Sequence, residues 1–288
     1  MLNVTSEVGR LRSVLMHEPG PEVDLMVPEM MHELLFDDVL FGERAREEHA
    51  LLRRVLQLFQ VETLEAQGLL EETLANPKAR DWLLDIVLVD LPRSVSSRLR
   101  EAPPEELAQT LTSGIRVDPG TPGVDAGQLF WLRPLANWCF QRDPQVVLHH
   151  GVVHCAMSAP ARHLESFLSR AIFRFHPRFN GVPVLHDPLE SSASEPLFVD
   201  SRRPRLEGGD VTIISRDIVA VGHSQRTGRN AIQGLARSLA RMENGPRWLL
   251  VVSLPQKRAY IPPDTVLPMV DRHACLAFAP VLLDRGAG

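Results

Sequence analysis

Cysteine is scarce in this chain of 288 residues: there are three, an odd number, at positions 139, 155 and 275. That count excludes a disulfide framework and suits a reducing compartment. Basic charge is also in deficit, with 31 lysines and arginines against 36 acids and a formal net charge of −5. The chain therefore offers no basic face for nucleic acid and no polybasic patch for a membrane surface. No apolar run approaches the length that spans a bilayer. The opening Met1-Leu2-Asn3-Val4-Thr5-Ser6-Glu7 lacks the basic-then-apolar pattern of a secretory signal. These absences lead to the expectation of a cytoplasmic protein without nucleic-acid or membrane partners. What is present is ordinary globular material, 44% hydrophobic and 23% charged, with 23 prolines that favour turns over long helices. A chain of this length buries one substantial core or two smaller ones.

Taken in order, residues 11–17 read as a short strand broken by Pro19-Gly20-Pro21. Residues 45–59 carry Ala50, Leu51, Val55, Leu56 and Phe59 at helical spacing, and 60–64 read as a second strand. This makes a first α/β module over 1–65. From 66 to 125 strand signals vanish. Asn76-Pro77 is a good N-cap and first turn for a helix over 78–91, and Pro103-Pro104 opens another that stops near Gly114. This stretch is predicted to be a helical insertion ending in the loop 118–123. Residues 126–288 return to strands and are assigned to further α/β modules.

Within that last region the pattern repeats. Asn137-Trp138-Cys139-Phe140-Gln141-Arg142-Asp143-Pro144 leads into strands at 145–148 and 152–157. A helix carrying Arg162 at its start and a strand at 182–185 follow. Later, Glu207-Gly208-Gly209-Asp210 leads into strands at 211–214 and 218–221, a helix begun by Ser224-Gln225-Arg226, and a strand at 248–252. A third unit begins at Asp264-Thr265, with strands at 266–270 and 275–278, and reaches Gly288 before any helix. Repeats of this kind point to similar ββαβ modules around an axis. Equivalent residues then converge, so Asp143, Glu207, Arg162 and Arg226 are expected to face one central site. The adjacent glycines 208 and 209 permit a tight bend and close approach of another group.

Acids and arginines lining one pocket suit a zwitterionic ligand. Carboxylates hold a guanidinium by paired, charge-assisted hydrogen bonds, and arginine forks hold a carboxylate in the same way. Asp143 with Asp264 would grip a guanidinium; Arg162 and Arg226, helped by the amide of Asn137, would grip an α-carboxylate. The bland alternative is that these residues form ion pairs between neighbouring modules. No metal site is predicted: in a strand His150 and His154 would share a face but stand about 13 Å apart, too far for one ion. They and His149 read as surface or rim histidines. Cys139 reads as packing, and Cys155 and Cys275 as core.

These residues resemble the arginine deiminase family of the guanidino-group-modifying (pentein) superfamily. The matching stretches are Ser6-Glu7-Val8-Gly9-Arg10-Leu11 with His17-Glu18-Pro19-Gly20, and Leu35-Phe36-Asp37-Asp38 with Glu48-His49. The run from Asn137 to Pro144, Arg162 with Glu165, Glu207-Gly208-Gly209-Asp210, and Gly222-His223-Ser224-Gln225-Arg226-Thr227 complete them. The resemblance covers nearly the whole chain. It implies an α/β propeller of five modules with the substrate at its axis, of which this chain holds an incomplete ring. It also implies the reaction of L-arginine and water to L-citrulline and ammonia, without metal or organic cofactor. In such enzymes a cysteine thiolate attacks the guanidinium carbon and a histidine serves as acid, then base. Asp143 and Asp264 would bind the guanidinium and Glu207 would support the histidine, giving Asp143, Glu207 and Asp264 as catalytic positions. Asn137, Arg162, Arg226, Gly208 and Gly209 are the substrate-binding positions.

Two departures affect the chemistry. The family's histidine lies two residues before the aspartate matching Asp264, and here the run is Pro262-Pro263-Asp264-Thr265. Proline carries no side-chain proton. The family's nucleophilic cysteine lies beyond the position at which this sequence stops, and none of the three cysteines matches it. The reading carried forward is a relative that binds arginine or a similar guanidino compound with hydrolysis impaired or lost, a pseudoenzyme. Two alternatives stay open. One is an active hydrolase using a substitute nucleophile, or completed by another chain at the open propeller edge. The other is a non-enzymatic interaction protein or truncated gene product.

Overall fold

The computed structural model describes residues 2–34, 36, 38–125, 127–189, 204–254 and 266–279. They fall into two compact units, one built from 11–141 with 159–180, the other from 1–10, 142–158 and the described part of 181–288.

The first unit is mainly helical. Strands β1 (Ser13–Met16) and β2 (Glu62–Glu65) lie parallel, with Ser13 opposite Glu62 and Met16 opposite Glu65. A parallel pair needs a crossover, supplied here by α1 (Pro21–Asp24), α2 (Pro28–Leu34) and α3 (Gly42–Leu58). The helices α4 (Ala66–Leu74), α5 (Pro77–Val87), α6 (Arg93–Glu101) and α7 (Pro104–Ser113) then occupy the stretch read as a helical insertion. Their ends follow local chemistry. Glu65 caps α4 by accepting from the Gln67 N–H, and Asn76 caps α5 by accepting from Lys78 N–H at 3.0 Å. α7 starts on Pro104 and stops at Gly114, whose φ of +82° is a region that favours glycine. Its buried residues Leu107, Ala108, Leu111 and Thr112 form one helical face. A short antiparallel pair, β3 (Ile115–Arg116) with β4 (Phe130–Leu132), follows. Helix α8 (His163–Phe175) packs on α4 and α5, where Trp82 and Phe175 meet at 5.8 Å between ring centroids.

The second unit holds the repeat. β5 (Gln145–Leu148), β6 (Gly151–His154) and β7 (Val184–His186) form one sheet in that order. β8 (Val211–Ser215), β9 (Ile218–His223) and β10 (Trp248–Ser253) form another. In both, the first pair is antiparallel and the second parallel. Helix α9 (Arg229–Ala240) is the crossover of the later module; in chain order α8 stands between β6 and β7 as α9 stands between β9 and β10. The same ββαβ order is thus laid down twice. The third pair, β11 (Met269–Asp271) and β12 (Ala274–Cys275), is shorter than the sequence pattern predicts. Val146, Leu148, Val153, Val211, Ile213, Val219, Val221, Leu235 and Leu239 make one buried core, and the His186 Nδ1 meets the Ser238 hydroxyl at 2.9 Å to tie β7 to α9. Among the described residues no helix is long and apolar enough to cross a membrane.

A main-chain contact also joins the modules of this unit. The Gly208 N–H donates to the Asp143 carbonyl at 2.9 Å, and a Cβ on Gly208 would stand 1.9 Å from the Arg142 carbonyl oxygen. The backbone there has no positive φ; glycine is required because another main chain passes against it. Around the same point Arg142 forks onto Glu7 at 2.6 and 3.1 Å and donates to the Val211 carbonyl at 2.7 Å. Glu7 in turn accepts from the Ile213 N–H at 2.8 Å. Gly208→Ala is therefore expected to cost about 3 kcal/mol or more through backbone displacement. Gly68 in α4 has nothing within 4 Å of a built Cβ, and Gly68→Ala is expected to gain about 0.5–1 kcal/mol. Urea midpoints of the two variants check both signs; equal stability of Gly208→Ala and native protein would refute the contact argument.

Candidate functional site

The turn Gly208–Asp210 lies between the bridge that pairs Leu206 with Ala156 and the start of β8. It places Glu207 wholly inside the protein, at 0% exposure. A carboxylate there needs partners, and it has three. Its Oε1 accepts from the Ser158 N–H at 2.9 Å and from the Ser158 hydroxyl at 2.7 Å, and its Oε2 accepts from Arg226 Nη1 at 3.2 Å. The Glu207 N–H donates to the Thr227 hydroxyl at 3.1 Å.

Arg226 sits on a turn. The Ser224 hydroxyl accepts from the N–H groups of Arg226 and Thr227 at 3.0 and 3.2 Å, a local turn closed by a side chain. Helix α9 then begins at Arg229 with Gly228 as its N-cap, so the expectation that Ser224-Gln225-Arg226 starts the helix is corrected. The reason is that Ser224 satisfies the amides a first helical turn would otherwise leave free. The same hydroxyl donates to Asp210 Oδ2 at 2.7 Å. Burial pushes the Asp210 carboxyl up to about 7, against the hydroxyls of Thr227 and Ser224, which favour the charged form; Glu207 raises it further and Arg226 lowers it. Within this unit Glu207, Gly208 and Arg226 therefore belong to one hydrogen-bonded group, and Gly209 lies in the same turn. Asp143, half-buried, joins through its carbonyl to Gly208.

In the helical unit the Asn137 side chain donates to the Leu34 carbonyl at 2.8 Å. Arg162 is buried and bound by Glu165, with Nε at 3.0 and 3.1 Å and Nη2 at 2.8 Å. Both residues follow alanines of a single buried cluster, Ala136 and Ala161. Asp264 and the prolines before it lie outside the described residues.

Ser158, Ser224 and Thr227 were not assigned to the site from the sequence, although Ser158 and Ser224 each supply the first hydroxyl after the second strand of their module. Two histidine expectations are corrected. His149 and His154 are buried at 5% and 3% exposure, not at a rim. His149 takes the turn between β5 and β6 at φ +48° and its Nε2 meets the Arg216 carbonyl at 3.0 Å; His154 faces inward on an interior strand. Cys155 is in the core, while Cys275, expected there, is exposed because β12 is only two residues long. Cys139 is partly buried, its thiol 3.9 Å from the Ala136 carbonyl. Among the described residues no cluster of His, Cys, Asp or Glu could hold a metal ion.

The helical unit also buries a histidine the sequence reading had quoted only as part of a motif. His17 lies 3.1 Å from Glu22 and 3.2 Å from Glu65. Burial alone lowers its pKa, but the hydrogen bonds and charges of the two glutamates more than reverse this and raise it to about 9.

With the geometry in view, the chain can be compared with known proteins. A family model described as arginine deiminase matches residues 32–113 and 121–287. Arginine deiminases of Staphylococcus aureus strains JH9 and Newman are each 32% identical over 286 residues, covering 94% of this chain and 67% of their own length. Among solved structures, a DDAH from Pseudomonas aeruginosa, a mutant complexed with citrulline, superposes with a TM-score of 0.50 at 15% identity, covering 93% of this chain and 70% of that one. At that identity the likeness speaks for the fold, which is the α/β pentein fold built on the ββαβ unit.

The buried histidine gives a stability test. With its pKa raised from 6.5 to about 9 in the folded protein, protonated His17 stabilises fully below pH 6.5, and that contribution fades as pH rises through 9. The loss between these limits is about 3 kcal/mol. Chemical denaturation across that range should show the decline in native protein. His17→Gln should be less stable at neutral pH, with two acids left short of a partner, and should lack the decline. A native protein whose stability stays flat over that range would refute the assignment.

Proposed function

Since this chain belongs to the arginine deiminase family, we propose that it binds L-arginine or a related guanidino compound in the cytoplasm, with hydrolysis impaired or lost. Asp143 and Asp264 hold the guanidinium, and Arg162, Arg226 and Asn137 receive the α-carboxylate. Glu207 fixes Arg226, and Gly208 and Gly209 form the backbone beside them. The observation that carries the reading is the contrast between two sets of residues. The acids and arginines of the family's binding motifs are present, and the buried Glu207 is bonded to Ser158 and Arg226. The run Pro262-Pro263-Asp264-Thr265 instead puts proline where the family places its proton carrier. Proline cannot protonate the leaving ammonia or deprotonate water. A ligand can be held by charge-assisted hydrogen bonds without being turned over.

A second reading, an active C–N hydrolase completed by another chain, is favoured by β10. Among the described residues this strand bonds only β9, and Trp248 and Val251 are 65% and 54% exposed. Such an apolar edge strand invites pairing with another polypeptide.

Titration calorimetry of the purified chain with L-arginine tests the first reading. Binding is expected, weakened tenfold or more, about 1.4 kcal/mol, by Asp143→Asn, with no citrulline formed. Citrulline production abolished by Asp143→Asn, from a species heavier than the monomer in solution, would replace it with the second. Absence of binding would leave an interaction protein.

A further inference from the structure

We propose that Asp210 is a positioning residue whose bound proton sets how strongly Arg226 receives the anionic group of a ligand. This rests on the reading of Arg226 as a carboxylate-binding residue and deepens it.

Geometry makes the link. Asp210 is at 0% exposure, and one of its oxygens, Oδ2, accepts from the Ser224 hydroxyl at 2.7 Å. That hydroxyl also anchors the N–H groups of Arg226 and Thr227, so the carboxyl holds the turn that presents the arginine. Among the described residues its other oxygen, Oδ1, is buried without a hydrogen bond of normal geometry. A buried carboxylate oxygen without a donor is costly, whereas a protonated carboxyl is tolerated. The charged groups facing Asp210 are Glu207, from its own turn, and Arg226, from the turn after β9; Ser224 and Thr227 add hydroxyls.

Charge balance then gives the sign. With Asp210 neutral, Glu207 and Arg226 form a balanced pair. When Asp210 releases its proton to solvent, two carboxylates face one guanidinium in a buried setting. The potential at Arg226 becomes less positive, and an incoming carboxylate is held more weakly. The change falls near neutral pH, because burial places the Asp210 carboxyl at about 7. Ser224 and Thr227 are neutral throughout and transmit position, not charge.

Calorimetry with L-arginine between about pH 6 and about pH 8.5 tests this, since those limits bracket the transition. In native protein the dissociation constant should rise about fivefold or more across the range. In Asp210→Asn, neutral at every pH and able to accept from Ser224, the change should be under about twofold. The difference between the two curves separates Asp210 from histidines that titrate nearby. A variant curve parallel to the native one would overturn the proposal. Should Asp210→Asn fail to fold, infrared spectroscopy of the native protein with labelled aspartate decides. A protonated-carboxyl band at the lower pH that is gone at the upper supports the proposal; no such band at the lower pH overturns it. If L-arginine binds at no pH, the ligand reading fails on its own account. The Arg226 Nε resonance is then followed against pH: a shift tracking the infrared band supports the role of Asp210, and a resonance indifferent to it ends the proposal.

Discussion

The second unit depends on a main chain passing a main chain. Gly208 lies so close to the Arg142 carbonyl that no side chain fits between them, and its N–H is bonded to the next carbonyl along. This contact sets the start of the later module against the start of the earlier one. Everything polar nearby is referred to it: Arg142 reaches from one side to the Val211 carbonyl and Glu7, and Glu207 and Asp210 flank the glycines on the other. The cost of a Cβ here is steric and is not offset by any side-chain rotamer, so the spacing of the two modules is held rigidly.

Burying charge is the second constraint, and the two modules solve it differently. Each opens its crossover region with an arginine, Arg162 or Arg226, and each arginine is bound by a glutamate. In the earlier module that glutamate is three residues on, in the first turn of α8, which Arg162 precedes. In the later it is Glu207, nineteen residues earlier, in the glycine turn. Topology repeats while the ion-pair wiring does not. A buried pair of this kind adds little net stability over an apolar replacement, yet losing one partner is strongly destabilising. Such pairs therefore fix where a guanidinium sits more than they hold the fold together, which in the proposed reading is the property the ligand site needs.

Much of this was legible in the sequence because strand period, glycine pairs and proline breaks are local signals. The paired modules, the Asn76 cap and the stop at Gly114 all lie where local chemistry puts them. Three features were not legible. The turn at Ser224–Thr227 was read as helix because a serine ahead of a periodic apolar run looks like a cap until its hydroxyl is seen bonding Asp210. The burial of His149 and His154 was hidden because histidine is common at the surface, and nothing local shows that β6 is interior. Cys275 misled in the opposite direction, since alternation with apolar neighbours suggests a half-buried strand and the strand proved too short. Each failure concerns a tertiary partner, which spacing alone does not encode.

In the proposed reading, holding a ligand and reacting with it are separable because they draw on different supports. Glu207 is satisfied by Ser158 and Arg226, and Arg226 stands on a turn closed by Ser224. None of these partners is the proton carrier that proline replaces at position 262. A group whose geometry is completed by its own neighbours does not relax when a residue elsewhere is changed. Had Glu207 depended on an imidazole as its principal partner, proline at 262 would have left a buried carboxylate short of a hydrogen bond, and the turn would carry that penalty. The partners described at Glu207 are Ser158 and Arg226, and in the proposed reading this lets the charged frame persist where turnover fails.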